Sequence, residues 1–191
     1  MKKMSGGMIA LIIVLALVVV TAIMAVSNYN GMISARENVE SQMSNIDTQM
    51  QRRNDLIPNL VNTVKGYASH ESDVFQAVSD ARARLAGANS INEKVEAENE
   101  LSGALSRLLA ITENYPQLKA NEQFTALMDE LSGTENRIAV ARQDYNKEAQ
   151  AYNKKIATFP SVVFAKMFGF EKYEYFKVTE GADKAPNVNF K

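Results

Sequence analysis

Residues 8–26 read MIALIIVLALVVVTAIMAV and contain no charged side chain. As a helix, this run of 19 residues is about 28 Å long, close to the hydrocarbon thickness of a bilayer. A cleaved secretory signal is the other interpretation, but its apolar core is usually only about 7–15 residues long. The run therefore predicts an uncleaved transmembrane helix over residues 8–26. The side chains that we expect to meet lipid include Met8, Leu11, Leu15, Val19, Ile23 and Val26.

Basic residues on either side of this helix predict its orientation. Residues 1–7 form a short segment that carries Lys2 and Lys3, whereas residues 27–51 carry one basic side chain, Arg36. Because basic residues concentrate on the cytoplasmic side of a membrane, we expect the N-terminus in the cytoplasm. The chain would then be a single-pass protein of a bacterial inner membrane, with residues 27–191 on its outer side.

The composition excludes several classes of site. The chain has no cysteine and a single histidine, His70, whereas structural zinc sites and disulfides need thiols and a di-iron bundle needs two Glu-x-x-His pairs. Its 21 basic and 22 acidic residues provide no basic field for nucleic acid. Glu96, Glu98 and Glu100 are expected on a solvated helix face, and no Gly-rich phosphate loop or GxSxG elbow occurs. We therefore expect no metal, no cofactor, no nucleic-acid partner and no enzymatic activity.

Beyond the apolar run, apolar residues follow the spacing of helices. Met32, Val39, Ile46 and Arg53 lie seven residues apart, and Arg36, Met43 and Met50 lie between them. This is the heptad seam of a coiled coil. It predicts one long helix that continues the transmembrane helix.

Three further helices are predicted from their end signals. The second would begin at Asn54-Asp55 with Pro58 in its first turn. The third would follow Ser90, with Glu93 completing a capping box, and a long fourth helix carries its own apolar seam. No run alternates with the period of a strand. We expect an all-α fold in which the single transmembrane helix continues into a long antiparallel four-helix bundle over residues 27–158.

Residues 159–176 hold seven of the fifteen aromatic residues of the chain. Phe159 ends the apolar seam of the fourth helix and begins this segment, which four alternating helices would return toward the membrane. One interpretation is a contact with the membrane or with a second copy, and the other is that the segment folds back over the bundle core. The residues proposed for the contact are Phe164, Phe168, Phe170, Tyr173 and Phe176. Residues 177–191 are expected to form a flexible tail.

Two arginines lie where the helices should be apolar. Arg53 falls on the seam of the first helix, and Arg142 precedes Tyr145-Asn146 by one turn; a guanidinium in such a place needs a partner. One interpretation is that both fix helix register through buried polar bonds. The other is that Arg53 and Arg142, with Pro58 and Tyr67, form a site for a ligand or partner protein.

Several motifs together resemble a known family. They are Tyr29-Asn30 after the apolar run, RRNDLIPNLV at 52–61, VKGYASHE at 64–71, Ala81-Arg82, Arg142, Tyr145-Asn146, Tyr152-Asn153, Phe159-Pro160 and Phe168-Gly169-Phe170. From the apolar run to about residue 176, the chain resembles the LemA family. The resemblance implies a bacterial single-pass membrane protein with a long four-helix bundle and no established catalytic activity. One relative in magnetotactic bacteria takes part in building magnetosome membranes, so the resemblance also implies a role in membrane organisation.

These observations favour a non-enzymatic, membrane-anchored helical protein that self-associates and organises the bilayer or scaffolds partners there. Its partners would be the lipid bilayer, further copies of itself and an unidentified membrane protein. The alternative is a membrane-anchored signalling or adaptor module that binds a ligand or partner protein through its bundle near Arg53, Pro58 and Tyr67.

Overall fold

The fold is all-α, as the sequence predicts. The computed structural model describes residues 6–177, and no strand occurs in that part of the chain. Its helices are α1 (Gly6–Lys65), α2 (Ser72–Gly87), α3 (Ile91–Thr112), α4 (Pro116–Lys119), α5 (Glu122–Ala157) and α6 (Ser161–Phe168). The tail predicted for residues 177–191 lies outside the described residues, apart from Lys177.

The chain divides into two compact units, and α1 and α5 each contribute to both. Among the described residues, one unit comprises 6–42 and 147–173 and is called the membrane-proximal unit because it contains the apolar run. The other comprises 43–146 and 174–177 and is called the distal unit. A single antiparallel four-helix bundle over residues 27–158 therefore stays a prediction.

Helix α1 changes its apolar pattern along its length. Residues 6–24 are exposed on every side, whereas the buried positions that follow form one stripe. That stripe contains Met32, Val39, Ile46, Met50, Ile57, Leu60 and Val64. The heptad seam is thus confirmed, except that Arg36 lies in the exposed part of the surface and pairs with Glu40 at 2.8 Å.

The predicted helix start at Asn54-Asp55 is wrong, because α1 continues through Pro58 to Lys65. A proline inside a helix removes the N–H that would bond the carbonyl four residues earlier, which here is that of Asn54. Arg82 of α2 supplies a replacement: its Nε donates to the Asn54 carbonyl at 3.1 Å and to Asn54 Oδ1 at 3.0 Å. A long-range contact therefore keeps the helix unbroken where local signals predict an end.

The end signals of α3 act as the sequence predicts. Ser90 Oγ accepts from the Glu93 backbone N–H at 3.2 Å, and the Glu93 carboxylate accepts from the Ser90 N–H at 3.0 Å. These two hydrogen bonds complete the capping box. The backbone N–H groups of Ser90 and then Asn89, which both donate to the Glu93 carboxylate, hold the pKa of Glu93 below its usual value. Helix α3 ends at Thr112, shortly before Pro116 begins α4. Helices α2 and α3 pack together as a helical hairpin in the distal unit.

Helix α5 carries the predicted apolar seam up to its last turn. Its buried positions include Phe124, Leu131, Ile138, Ala141, Tyr145, Ala149, Tyr152 and Ile156. Phe159 does not continue this seam and is 84% exposed, because α5 ends at Ala157 and the chain turns. Tyr67 lies in the turn after α1 and is 39% exposed.

The contact between Arg82 and the Asn54 carbonyl predicts a specific coupling between Arg82 and Pro58. Arg82→Ala should lower the free energy of unfolding by about 1–2 kcal/mol, because it leaves that carbonyl without a donor. In a Pro58→Ala background the restored N–H reaches the carbonyl, so the same change should cost about 1 kcal/mol less. Chemical denaturation of the four proteins of this double-mutant cycle measures the coupling. Equal costs in both backgrounds would show that Arg82 does not replace the missing helical bond.

Candidate functional site

A buried ion network in the distal unit unites both predicted arginines. Arg53 Nη1 donates to Glu98 Oε1 at 3.3 Å, and Nη2 donates to Ser102 Oγ at 3.1 Å. Arg142 pairs with the other oxygen of the same carboxylate, Glu98 Oε2. Helix α1 supplies Arg53, α3 supplies Glu98 and Ser102, and α5 supplies Arg142. Glu98 therefore links α3 to both α1 and α5 through two guanidinium groups.

The network is buried at its centre and open at its edge. Arg53 is 3% exposed and Glu98 is 5% exposed, whereas Glu135, whose Oε2 lies 3.7 Å from Arg53 Nη2, is 63% exposed. Burial lowers the pKa of Arg53, and Glu135 partly opposes that effect. Burial and then repulsion by Arg53 lower the pKa of Arg142. Because guanidinium groups stay protonated in proteins, two positive charges share one buried carboxylate.

The sequence interpretation of Glu98 is wrong, since this side chain does not lie on a solvated face. Glu96 and Glu100 are exposed as expected, but Glu98 lies three residues before Leu101 and seven before Leu105, both of which are buried. That spacing places Glu98 on the apolar stripe of α3. The spacing in the sequence thus indicates that Glu98 is buried, but the neighbouring Glu96 and Glu100 favoured a solvated acidic face.

Pro58 and Tyr67 make their contacts outside the network of Arg53, Glu98 and Arg142. Pro58 lines a cavity of about 160 Å³ in the distal unit, bounded also by Ile57, Val61, Asn62, Lys65, Phe75, Val78, Ser79 and Arg82. Tyr67 accepts a hydrogen bond at its hydroxyl from Asn121 Nδ2 at 3.1 Å. The structure therefore brings Arg53 and Arg142 together but does not add Pro58 and Tyr67 to that cluster.

In the membrane-proximal unit, polar contacts form just after the apolar run ends. Ser161 Oγ donates to Asn28 Oδ1 at 2.7 Å. Lys155 Nζ donates to the Gly31 carbonyl, and a Cβ at Gly31 would lie 2.8 Å from that nitrogen. The Tyr29 ring packs edge to face on Phe168 at 5.0 Å and on Phe170 at 5.8 Å. These contacts hold the end of α5 and both ends of α6 to residues 28–31 of α1.

Side-chain amides fix the backbone that follows α6. Asn153 of α5 donates through Nδ2 to the Tyr173 carbonyl and accepts the Tyr173 N–H at Oδ1, both at 2.9 Å. The Tyr173 ring packs on Tyr152 at 5.1 Å, and its hydroxyl donates to Glu40 Oε1 at 2.9 Å. Burial and then this hydrogen bond raise the pKa of Tyr173, while hydrogen bonds from Arg36 and Tyr173 lower the pKa of Glu40.

The distal unit repeats this arrangement with its own residues. Asn146 donates to the Phe176 carbonyl at 2.8 Å and accepts the Phe176 N–H at 2.9 Å. The Phe176 ring is 5% exposed and lies 5.2 Å from both the Tyr145 ring and the Arg142 guanidinium carbon. Phe176 therefore packs within its own chain, as the fold-back interpretation expects. The spacing of the two Tyr-Asn pairs gives no sign of this role, because their partners lie 20 and 30 residues away.

Helix α1 is long and apolar enough to cross a membrane, and none of its most apolar 18-residue window is buried against the described residues. Within those residues, no three His, Cys, Asp or Glu side chains gather closely enough to hold a metal ion.

The shared carboxylate predicts that Glu98 is important for stability. Glu98→Gln should lower the free energy of unfolding by about 3–5 kcal/mol, because it removes the buried counter-charge of both guanidinium groups. Of the described carboxylates that pair with Arg53, only the exposed Glu135 would then remain, at 3.7 Å. The matched control is Glu100→Gln, which removes an exposed pair with Arg84 at 2.7 Å and should cost less than about 1 kcal/mol. Chemical denaturation of the full chain in detergent compares them. Equal losses would contradict a structural role for the network.

Comparison with known proteins gives a consistent assignment. The model of the LemA family matches residues 42–190. Magnetosome protein MamQ 2 of Paramagnetospirillum magneticum is 27% identical over 210 residues, which cover 95% of this chain and 77% of that protein. Magnetosome protein MamQ of Magnetospirillum gryphiswaldense is 26% identical over the same shares. Protein LemA of Metamycoplasma hominis is 22% identical over 81% of this chain and 71% of its own length. Because the family model covers most of the chain, the protein belongs to the LemA family.

Proposed function

We propose that this protein is a non-enzymatic, single-pass membrane protein that self-associates and organises the bilayer or scaffolds partners there. The observation that carries the proposal is the apolar surface of α1, which the described residues leave uncovered. In water such a surface would be costly to expose. In a bilayer it faces lipid and other helices.

The relatives support a role at a membrane. Two of them are named magnetosome proteins, and the family resemblance implies a role in membrane organisation. Lys2 and Lys3 before α1 support an N-terminus in the cytoplasm, with the helical part on the outer side of a bacterial inner membrane.

The surface of α1 also supports contact with a second copy. Ala22, Ile23, Val26, Ser27 and Asn30 line an open groove where the apolar run ends. Small side chains such as Ala22 and Ser27 let helix backbones approach closely within a membrane. A second α1 is the occupant that fits this groove.

Single-molecule photobleaching tests the self-association. The full chain, labelled at one introduced cysteine and diluted into lipid nanodiscs or vesicles, should bleach in two or more steps. Ala22→Phe fills the groove and should shift most molecules to one step. Ala16→Phe adds the same bulk about 240° around the helix and should leave the step number unchanged.

One-step bleaching of the parent protein at every protein-to-lipid ratio would contradict self-association. That result would favour the alternative adaptor function, in which the cavity beside Pro58 takes a partner.

A further inference from the structure

Helix α6 has its apolar side chains on the outside. Its sequence is SVVFAKMF, and its two buried residues are the small Ser161 and Ala165. Val163 is 56% exposed and Met167 is 63% exposed, and they lie one turn apart on the same face of α6. Phe159, in the turn before α6, is 84% exposed. A surface helix of a water-soluble domain shows the opposite pattern, with large apolar residues facing the core.

Both ends of α6 contact α1 at the same level. Ser161, at its start, bonds Asn28, and Phe168, at its end, packs on Tyr29. Two ends of one helix that meet consecutive residues of another require the two helices to cross. When α1 runs across the bilayer, as in the proposed function, a helix that crosses it here can lie along the bilayer surface.

In the proposed function, Asn28 and Tyr29 of α1 lie at the boundary of the bilayer. Asn28 follows Val26, the last residue of the apolar run, by two positions, or about 3 Å of helix rise. Tyr29 is the type of residue that concentrates at membrane interfaces. Lys166 is exposed on α6, and a long basic side chain can extend to lipid phosphates from such a position.

We propose that α6 is an interfacial membrane helix, whose face formed by Val163 and Met167 inserts into the leaflet from which α1 emerges. The bilayer is the occupant because α6 contacts α1 at Asn28 and Tyr29, directly after the apolar run, whose residues 8–24 are exposed on every side. The inference rests on the anchored state in the proposed function, but not on self-association. Each molecule would then insert apolar side chains of α6 into one leaflet, beside its transmembrane helix.

The absence of cysteine allows a direct test by site-directed spin labelling. The full chain is prepared as Val163→Cys and, independently, as Met167→Cys. Val140→Cys is the matched control, because Val140 is also a valine with 56% exposure and belongs to the distal unit. Each spin-labelled protein is placed in vesicles of phosphatidylethanolamine and phosphatidylglycerol, and circular dichroism confirms that it keeps the parent helix content.

Accessibility to oxygen and to a water-soluble nickel chelate then reports lipid or water around each label. At positions 163 and 167, access of the chelate should fall about tenfold relative to position 140, with oxygen access retained, as expected for an apolar face inserted in the interface. Equal chelate access at all three positions would overturn the proposal. So would dipolar broadening at 163 or 167 that disappears on dilution with unlabelled protein, because a second copy would then cover the face.

The outcome is separable from that of the photobleaching experiment. Lipid-like accessibility combined with one-step bleaching would retain α6 as an interfacial helix and reject self-association. Water-like accessibility combined with several bleaching steps would do the reverse.

Discussion

The structure depends on one continuous helix whose apolar surface changes from the whole circumference to a single stripe. Residues 6–24 of α1 are exposed on all sides, and the buried stripe begins at Met32. Between them, Asn28, Tyr29 and Gly31 bind α6 and the end of α5. An all-round apolar surface suits lipid, whereas a stripe suits packing against other helices. The place of this change therefore sets where the chain leaves the membrane.

Polar groups inside the two units give the packing its register. Glu98 joins α1 and α5 through Arg53 and Arg142, and Asn146 and Asn153 each hold a backbone amide and carbonyl of the segment after α6. Such bonds form in one alignment only, whereas apolar side chains tolerate several. Four residues of the motifs that carry the family resemblance therefore have a structural role: Arg53, Arg142, Asn146 and Asn153.

The sequence predicts features that depend on neighbours within one helix. The heptad seam and the capping box at Ser90 and Glu93 are of this kind, because each follows from spacing alone. The helix start predicted at Asn54-Asp55, with Pro58 in its first turn, is wrong because Arg82 donates to the Asn54 carbonyl in place of the missing Pro58 N–H. Arg82 lies 28 residues from Asn54 in the chain. The pairing of Arg53 with Glu98 is likewise set by the fold. For α6, the sequence shows the aromatic residues, but it does not show which side of the helix faces outward, because that depends on contacts with α1.

In the proposed function, residues 8–26 remain in the protein as its membrane anchor. Intact mass spectrometry of the protein recovered from bacterial membranes after washing at high pH tests this most directly. We expect the full mass, including these residues, in the membrane fraction. A mass that begins near residue 27, found in the soluble fraction, would contradict the account.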